Sequence, residues 1–334
     1  MSVELLNFIE TVLNGLMSGV MYSLVALGFV LIFKASGVFN FAQGVFALFA
    51  ALTLVGYQTG QVPFAHLITE LFGTNYHNWY ASMPNFLAIL LTMVTMIALA
   101  WIIERLVLKH LVNQDPIILF MATIGLAFAL EGVGDLMWGS DVKVLDVGIP
   151  SGGSIWLEDA TIGLAAEGSD YYGMYEDVLN IWATVIAVIL VVSLALFSQY
   201  TKTGRALRAV ADDHQAALSV GISLRSIWIL VWAISGFIAM VAGIMWGTES
   251  GVQFSLSLIA LKALPVLILG GFTSIPGAII GGLLIGVGEK LAEIYIGGYF
   301  ETGALENWFA YVMALVFLLF RPQGLFGDKI IERV

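Results

Sequence analysis

The sequence contains no cysteine. That excludes disulfide staples, thiolate metal sites and a cysteine nucleophile. Charge is nearly as scarce: 11% of the 334 residues are charged, against roughly 25% in a soluble domain. Basic residues are the scarcest, 13 against 24 acids, for a net charge of −11. Nothing here resembles the basic footprint of a nucleic-acid binder, so no nucleic-acid partner is expected. There are four histidines. His66 and His77 share a loop, and two imidazoles make too small a ligand set for a metal site. No Gly-x-x-x-x-Gly-Lys-Ser/Thr run occurs, so the chain does not hold ATP through a P-loop and no cofactor is expected. What remains is apolar: 60% of residues are hydrophobic and mean hydropathy is +0.95. That composition belongs to a membrane protein.

A helix crossing a bilayer needs about 20 mostly apolar residues. Nine segments qualify as candidates: 8–33, 39–57, 84–104, 116–138, 179–198, 227–247, 256–271, 275–292 and 307–320. The expected fold is all-α: one polytopic transmembrane domain over 1–334, with about 8–9 membrane helices. The segments 39–57, 256–271 and 275–292 are short or interrupted by Gly and Pro, so broken or re-entrant helices are expected there. The first segment is too long for a cleaved signal peptide. It also lacks a basic leader, since Glu4 and Glu10 are the only charges before Lys34.

Cytoplasmic connections are enriched in Lys and Arg. With nine spans, Lys34, the pair Arg105 and Lys109, the group Lys202, Arg205, Arg208 and Arg225, and the group Arg321, Lys329 and Arg333 all fall on one side. That places the N-terminus outside and the C-terminus in the cytoplasm of an inner membrane. The opposite connections contain one basic residue, Lys143. Two of them are long, about 58–83 and 139–178. The first holds His66, Glu70, His77, Trp79 and Tyr80. The second holds Asp141, Asp146, Glu158, Asp159, Glu167, Asp170, Glu176 and Asp177. Such an acidic stretch reads either as a solvated outer surface or as a docking face for an extracytoplasmic partner.

Enzyme signatures are incomplete. Gly132-Val-Gly134-Asp135 matches half of an intramembrane aspartyl protease pattern, but no Tyr-Asp supplies the second carboxylate that this chemistry requires. Small-xxx-small pairs are plentiful: Gly15/Gly19, Gly243/Gly247, Gly277/Gly281 and Gly282/Gly286. These predict closely packed helices. Ionisable residues within spans carry more information, because charge in hydrocarbon is costly. They are Glu131, Asp135, Lys262, Glu289 and Lys290. Lys262 either pairs structurally with an acid such as Glu131 or lines a polar pathway. Glu289 and Glu293, one turn apart, read as a water-exposed helix end.

The segment 199–226 is the most informative inner connection. Residues 204–220 are expected to be helical, with Leu207, Val210, Ala211, His214 and Leu218 on one face. Arg205, Arg208, Asp212 and Asp213 flank it. Such a helix either lies on membrane lipid or docks into a soluble partner. The two aspartates argue against a contact with anionic lipid alone.

Four blocks then resemble a family. They are Asn14-Gly15-Leu16 with Gly19, Tyr22 and Leu24 running to Asn40-Phe41-Ala42-Gln43-Gly44; Gly204-Arg205-Ala206-Leu207-Arg208-Ala209 with Asp212-Asp213 and Gly221-Ile222; Lys262-Ala263 with Gly270-Gly271-Phe272-Thr273-Ser274-Ile275-Pro276-Gly277-Ala278 and Gly281-Gly282; and Arg321-Pro322-Gln323-Gly324-Leu325-Phe326-Gly327. The chain resembles the permeases of branched-chain amino acid ABC importers, the LivH-type branch. The resemblance implies a heterodimer with a paralogous sister permease, two cytoplasmic ATPase subunits below, and an extracytoplasmic substrate-binding protein above. It implies that ATP is bound by partners and that the chain itself is not an enzyme. It also implies a coupling helix over 204–221, using Gly204, Arg205, Leu207, Arg208, Asp212, Asp213 and Gly221. The cargo is left open between branched-chain or other amino acids, urea and short amides. An ion-coupled secondary transporter is the rival reading. Polar groups at membrane depth usually face the bundle interior or a cavity. On that ground Asn14, Tyr22, Asn40, Gln43 and Lys262 are the expected pathway residues. Lys34, where the family often has glycine, and the long acidic loop 139–178 depart from the pattern.

Overall fold

The computed structural model describes residues 2–61, 63, 71, 83–111, 114–150, 152–164, 171–299 and 305–327. The expectations for Glu70, His66, His77, Trp79, Tyr80, Glu167, Asp170, Lys329 and Arg333 lie outside the described residues. So does the side chain of His214.

The described chain is helical, with isolated β-bridges and no strand among the described residues. In chain order the helices are α1 Val3–Ser36, α2 Gln43–Thr59, α3 Asn85–Leu106, α4 Pro116–Trp138, α5 Ile155–Ile162, α6 Val178–Tyr200, α7 Lys202–Asp212, α8 His214–Ser219, α9 Leu224–Ser250, α10 Ile259–Gly270, α11 Ile275–Tyr295 and α12 Leu305–Phe320. Each of the nine expected apolar segments lies mainly on a helix. Among the described residues, six helices are long and apolar enough to cross a membrane: α1, α3, α4, α6, α9 and α11. The protein is a polytopic all-α membrane protein.

Two of the three interrupted segments are short, as expected. Residues 37–42 are non-helical, so the second segment begins only at Gln43 and α2 has 17 residues. The 256–271 segment splits into a 3-10 turn, Phe254–Leu258, and the 12-residue α10. The third differs from expectation. α11 is an unbroken helix of 21 residues. Its Pro276 sits in the first turn, where the missing N–H would have no partner anyway. The Ser274 side chain caps this start by accepting from Gly277 N at 3.0 Å.

The chain divides into two compact units. The first contains residues 1–26, 149–193 and 262–334; the second contains 27–148 and 194–261. In the first, α1 and α11 meet through their glycines. A Cβ at Gly19 would fall 2.6 Å from the Gly282 carbonyl oxygen, and one at Gly15 would fall 2.6 Å from the Val287 Cα. Gly282 and Gly286 face back against Gly19 and Gly15. Two expected glycine pairs therefore interlock, backbone on backbone. Ser23 fastens the same seam by donating to Gly19 O at 2.8 Å and Ile279 O at 3.1 Å.

In the second unit α2 is central. Every residue from Gln43 to Gly56 is buried. α9 covers it most extensively, with α3, α4 and the Phe254–Leu258 turn on other sides. Gly243 lies against the Ala47 backbone, so the Gly243/Gly247 pair is also a packing face. Phe46 meets Trp232 with ring centroids 5.8 Å apart, and Phe49 meets Trp138 at 5.3 Å. Seventeen residues span only about 25 Å, less than a bilayer core of about 30 Å. A sheathed helix tolerates this because lipid never has to match its length.

Candidate functional site

The segment after α6 forms an elbow. Thr201 serves both helices at once. Its hydroxyl donates to Phe197 O at 2.7 Å near the end of α6 and accepts from Gly204 N at 2.9 Å at the start of α7. Gly204 is buried against the carbonyls of Phe197 and Ser198, with no room for a Cβ. Arg208 donates through Nη1 to Ser198 O and through Nη2 to Gln199 O, the latter at 3.3 Å. Arg205 donates to Tyr200 O at 3.4 Å. Both guanidinium groups thus neutralise the carbonyl end of α6, where the helix dipole is negative. Leu207 and Val210 are buried, and α7 packs on α9.

The expected single helix over 204–220 is in fact two. Asp213 leaves helical geometry, at φ −156° and ψ 115°, and its carboxylate accepts from Gln215 N and Ala216 N. An aspartate competes for backbone donors in this way, which is why it caps better than it continues. The break rotates the following face. Ala217 is buried, and Leu218, expected inward, is 53% exposed. Gly221 ends the segment at φ +84°, a left-handed conformation suited to glycine. Asp212, Leu218 and Val220 are exposed.

Beyond the elbow, Arg225 pairs with Glu104 of α3. Its Nε lies 3.3 Å from the Glu104 carboxylate oxygens, and the Glu104 side chain is 3% exposed against 53% for Arg225. Sequence reasoning did not find this pair. The residues stand 121 apart, and no spacing rule joins them.

Asn40 and Gln43 come together at the α1–α2 break. Asn40 donates to Gln43 Oε1 at 3.3 Å, Gln43 Nε2 donates to Ser235 O at 3.3 Å, and the Ser235 hydroxyl donates to Gln43 Oε1 at 2.6 Å. Asn40 Oδ1 also accepts from Ala42 N at 3.2 Å. All three side chains are fully buried. Thr123 completes the break by accepting from Phe41 N at 3.1 Å and donating to Phe39 O at 3.0 Å. The Asn40, Gln43 and Ser235 side chains are each hydrogen-bonded within the protein. Sequence reasoning missed Thr123 and Ser235.

Tyr22 and Lys262 form a separate group, with Lys262 Nζ 5.8 Å from the Tyr22 ring centroid. Lys262 pairs with Glu289, at 4.0 Å, rather than with Glu131. Glu289 is buried, at 2% exposure, contrary to the expected water-exposed end. It lies one turn beyond Gly286 on the face packed against α1, so only Glu293 of that pair reaches outward. Glu293 pairs with Lys290 at 2.9 Å. Asn14 is half-buried on α1.

The 139–178 connection is not merely a loop, since it carries α5. Its acids take structural roles: Asp146 accepts from Gly148 N, Asp177 from Gly152 N and Leu179 N, and Glu176 from Asn180 Nδ2. Asp141, Asp146 and Asp159 are exposed.

A family model described as a branched-chain amino acid transport system permease component matches residues 11–321. The chain belongs to this permease family. It is 28% identical over 345 residues to the high-affinity branched-chain amino acid transport system permease protein LivH of Escherichia coli K12, covering 100% of both chains. It is 27% identical to the corresponding permease protein BraD of Pseudomonas aeruginosa, covering 99% of each. A probable LivH of Methanocaldococcus jannaschii is 28% identical over 91% of this chain and 88% of that one. The protein is a membrane-spanning permease subunit of an ABC transport system. In this permease the four sequence blocks occupy distinct places: the α1–α11 seam with the α1–α2 break, the α6–α7 elbow, the start of α11, and the turn after α12. In that turn, Leu325 N and Phe326 N donate to Leu269 O and Gly270 O.

Proposed function

We propose that this permease imports branched-chain or other amino acids, driven by ATP hydrolysed on partner subunits. The observation that carries the reading is the α7–α8 segment. It is clamped to α6 by Arg205, Arg208 and Thr201, yet it presents Asp212, Leu218 and Val220 outward. A segment fixed at its root and open at its tip suits a lever. The tip, including Asp213 and Gly221, engages an ATPase on the cytoplasmic side. Gly204, Leu207, Arg205 and Arg208 hold the root. On this reading the arginines position the lever rather than touch the ATPase. The positive-inside pattern supports a cytoplasmic C-terminus and an outer N-terminus.

The working complex contains a paralogous sister permease, two ATPase subunits and an extracytoplasmic binding protein that delivers the cargo. The chain performs no bond chemistry of its own. The exposed acids Asp141 and Asp146 form part of the binding-protein docking face. The names of the full-length relatives support amino acids as cargo over urea or short amides. Asn14, Tyr22 and Lys262 lie closer to the pathway than Asn40 and Gln43, whose hydrogen bonds close on each other. Gentle purification followed by reconstitution into proteoliposomes tests the whole. Two ATPases and a sister permease should co-purify, and leucine uptake should require both ATP and the loaded binding protein. Uptake by the lone chain without nucleotide would overturn the proposal.

A further inference from the structure

We infer that the junction of α3 and α9 binds an anionic phospholipid, with its phosphate held by Arg105, Lys109 and Arg225 and an acyl chain laid along α3. One contact defines the junction: Arg225, the second residue of α9, pairs with Glu104 near the end of α3 at 3.3 Å. Arg105 follows Glu104, and Lys109 lies just beyond, in the 3-10 turn Leu108–His110. All of these residues belong to the second unit. With 22 residues, α3 is about 33 Å long, close to a bilayer core of about 30 Å. Its last turn therefore sits at the depth of the lipid headgroups.

Three cations share one carboxylate at this boundary. All three are exposed. Among the described residues, Arg105 and Lys109 have no ion pair, and Arg225 bonds Glu104 through Nε alone. The two Nη groups of Arg225 thus keep their donors for another acceptor. Asp115, the next acid along the chain, pairs with none of the three among the described residues. Arg105 is nonetheless held in place, because its guanidinium carbon lies 5.2 Å from the ring centroid of Trp101, one turn back. From Trp101 an exposed apolar stripe runs down α3 through Ile97, Val94 and Leu90, at helical spacings of three and four. The cations therefore stand at the head of a track that faces hydrocarbon. A soluble acidic partner would answer the charges but could not reach the stripe at membrane depth. A zwitterionic lipid would cover the stripe but brings its own cation to the headgroup. A phospholipid of net negative charge answers both, and guanidinium forks suit its phosphate oxygens. Such a lipid acts as the counter-ion that the protein does not supply.

The test titrates the full chain, delipidated in detergent, with phosphatidylglycerol or phosphatidylcholine and counts bound lipid by native mass spectrometry. Wild type should retain phosphatidylglycerol more tightly than phosphatidylcholine, and added salt should weaken that preference. Arg105→Gln/Lys109→Gln leaves the Arg225–Glu104 pair intact. Its phosphatidylglycerol affinity should fall about fivefold for each cation removed, with phosphatidylcholine affinity unchanged. Trp101→Leu keeps an apolar side chain but removes the ring that orients Arg105, and should lose about two- to fivefold. Lys143→Gln, which removes a cation outside the junction, should bind as wild type does. Should the double variant fail to fold, Lys109→Gln alone decides by the same comparison. Equal retention of the two lipids by wild type would overturn the inference. So would unchanged phosphatidylglycerol affinity in the double variant, and a loss of ATPase or sister-permease co-purification in that case would assign the cations to a protein partner instead.

Discussion

Arg208 of α7 donates both guanidinium nitrogens to α6, one to Ser198 O and the other to Gln199 O. The lever is thereby tied to the last turn of the preceding helix and not only to the chain that joins them. Arg208→Glu should place a negative charge against the negative end of α6. Binding-protein-stimulated ATP hydrolysis in the reconstituted complex should fall at least about tenfold, the equivalent of one lost charge-assisted bond. Membrane insertion and basal hydrolysis should be unchanged. Normal coupling in that variant would remove Arg208 from the lever.

The interlocked glycines make a steric prediction. A side chain at Gly282 would meet the Ser23 hydroxyl and, within 2.6 Å, the Gly19 carbonyl. Gly282→Leu should cost about 1–3 kcal/mol or more through overpacking. Gly132→Ala is the control, because a Cβ at Gly132 meets nothing within 4 Å. It should be neutral or stabilising by up to about 1 kcal/mol through helix propensity. Melting curves of the detergent-solubilised chain separate the two.

Unequal burial of Glu104 and Arg225 predicts unequal costs. Arg225→Met strands a carboxylate that is 3% exposed, whereas Glu104→Met leaves an arginine that is 53% exposed and still hydrated. The first should destabilise by about 1–3 kcal/mol and the second by clearly less. Equal losses in thermal unfolding would mean that the pair acts by packing alone.

Gln43 is the hub of the α1–α2 break, bonded to both Asn40 and Ser235. Gln43→Leu should strand those groups at a cost of about 1–3 kcal/mol. It should leave leucine transport per ATP close to wild type in whatever fraction folds. A selective transport defect in a normally stable Gln43→Leu complex would return Gln43 to the pathway.

What the sequence made legible follows from periodicity and composition. The apolar segments are read by length alone, and the glycine pairs by small-residue spacing. What it hid depends on three-dimensional partners. Glu289 reads as an exposed helix end until α1 is seen packed over Gly282 and Gly286, which places Glu289 inside. The break at Asp213 is invisible to a helical wheel, because local capping overrides the pattern of Leu207, Val210 and Leu218. Arg225 and Glu104 meet because α3 and α9 pack on each other as well as on α2. For the site itself, Lys262 could be singled out as a costly charge, but its partner could not be chosen among several acids.

The sheathing of α2 bears on how the chain is made. Ser235, which completes the hydrogen bonds of Gln43, is synthesised 192 residues after it. At roughly 5–20 residues per second that delay is about 10–40 s. Throughout it, α2 must wait beside the translocon or in lipid, with Gln43 at its leading end and no α9 to receive it. The helix at the centre of the second unit is thus made early and enclosed late. Biogenesis, more than the finished fold, is where a polar substitution in α2 should do its greatest harm.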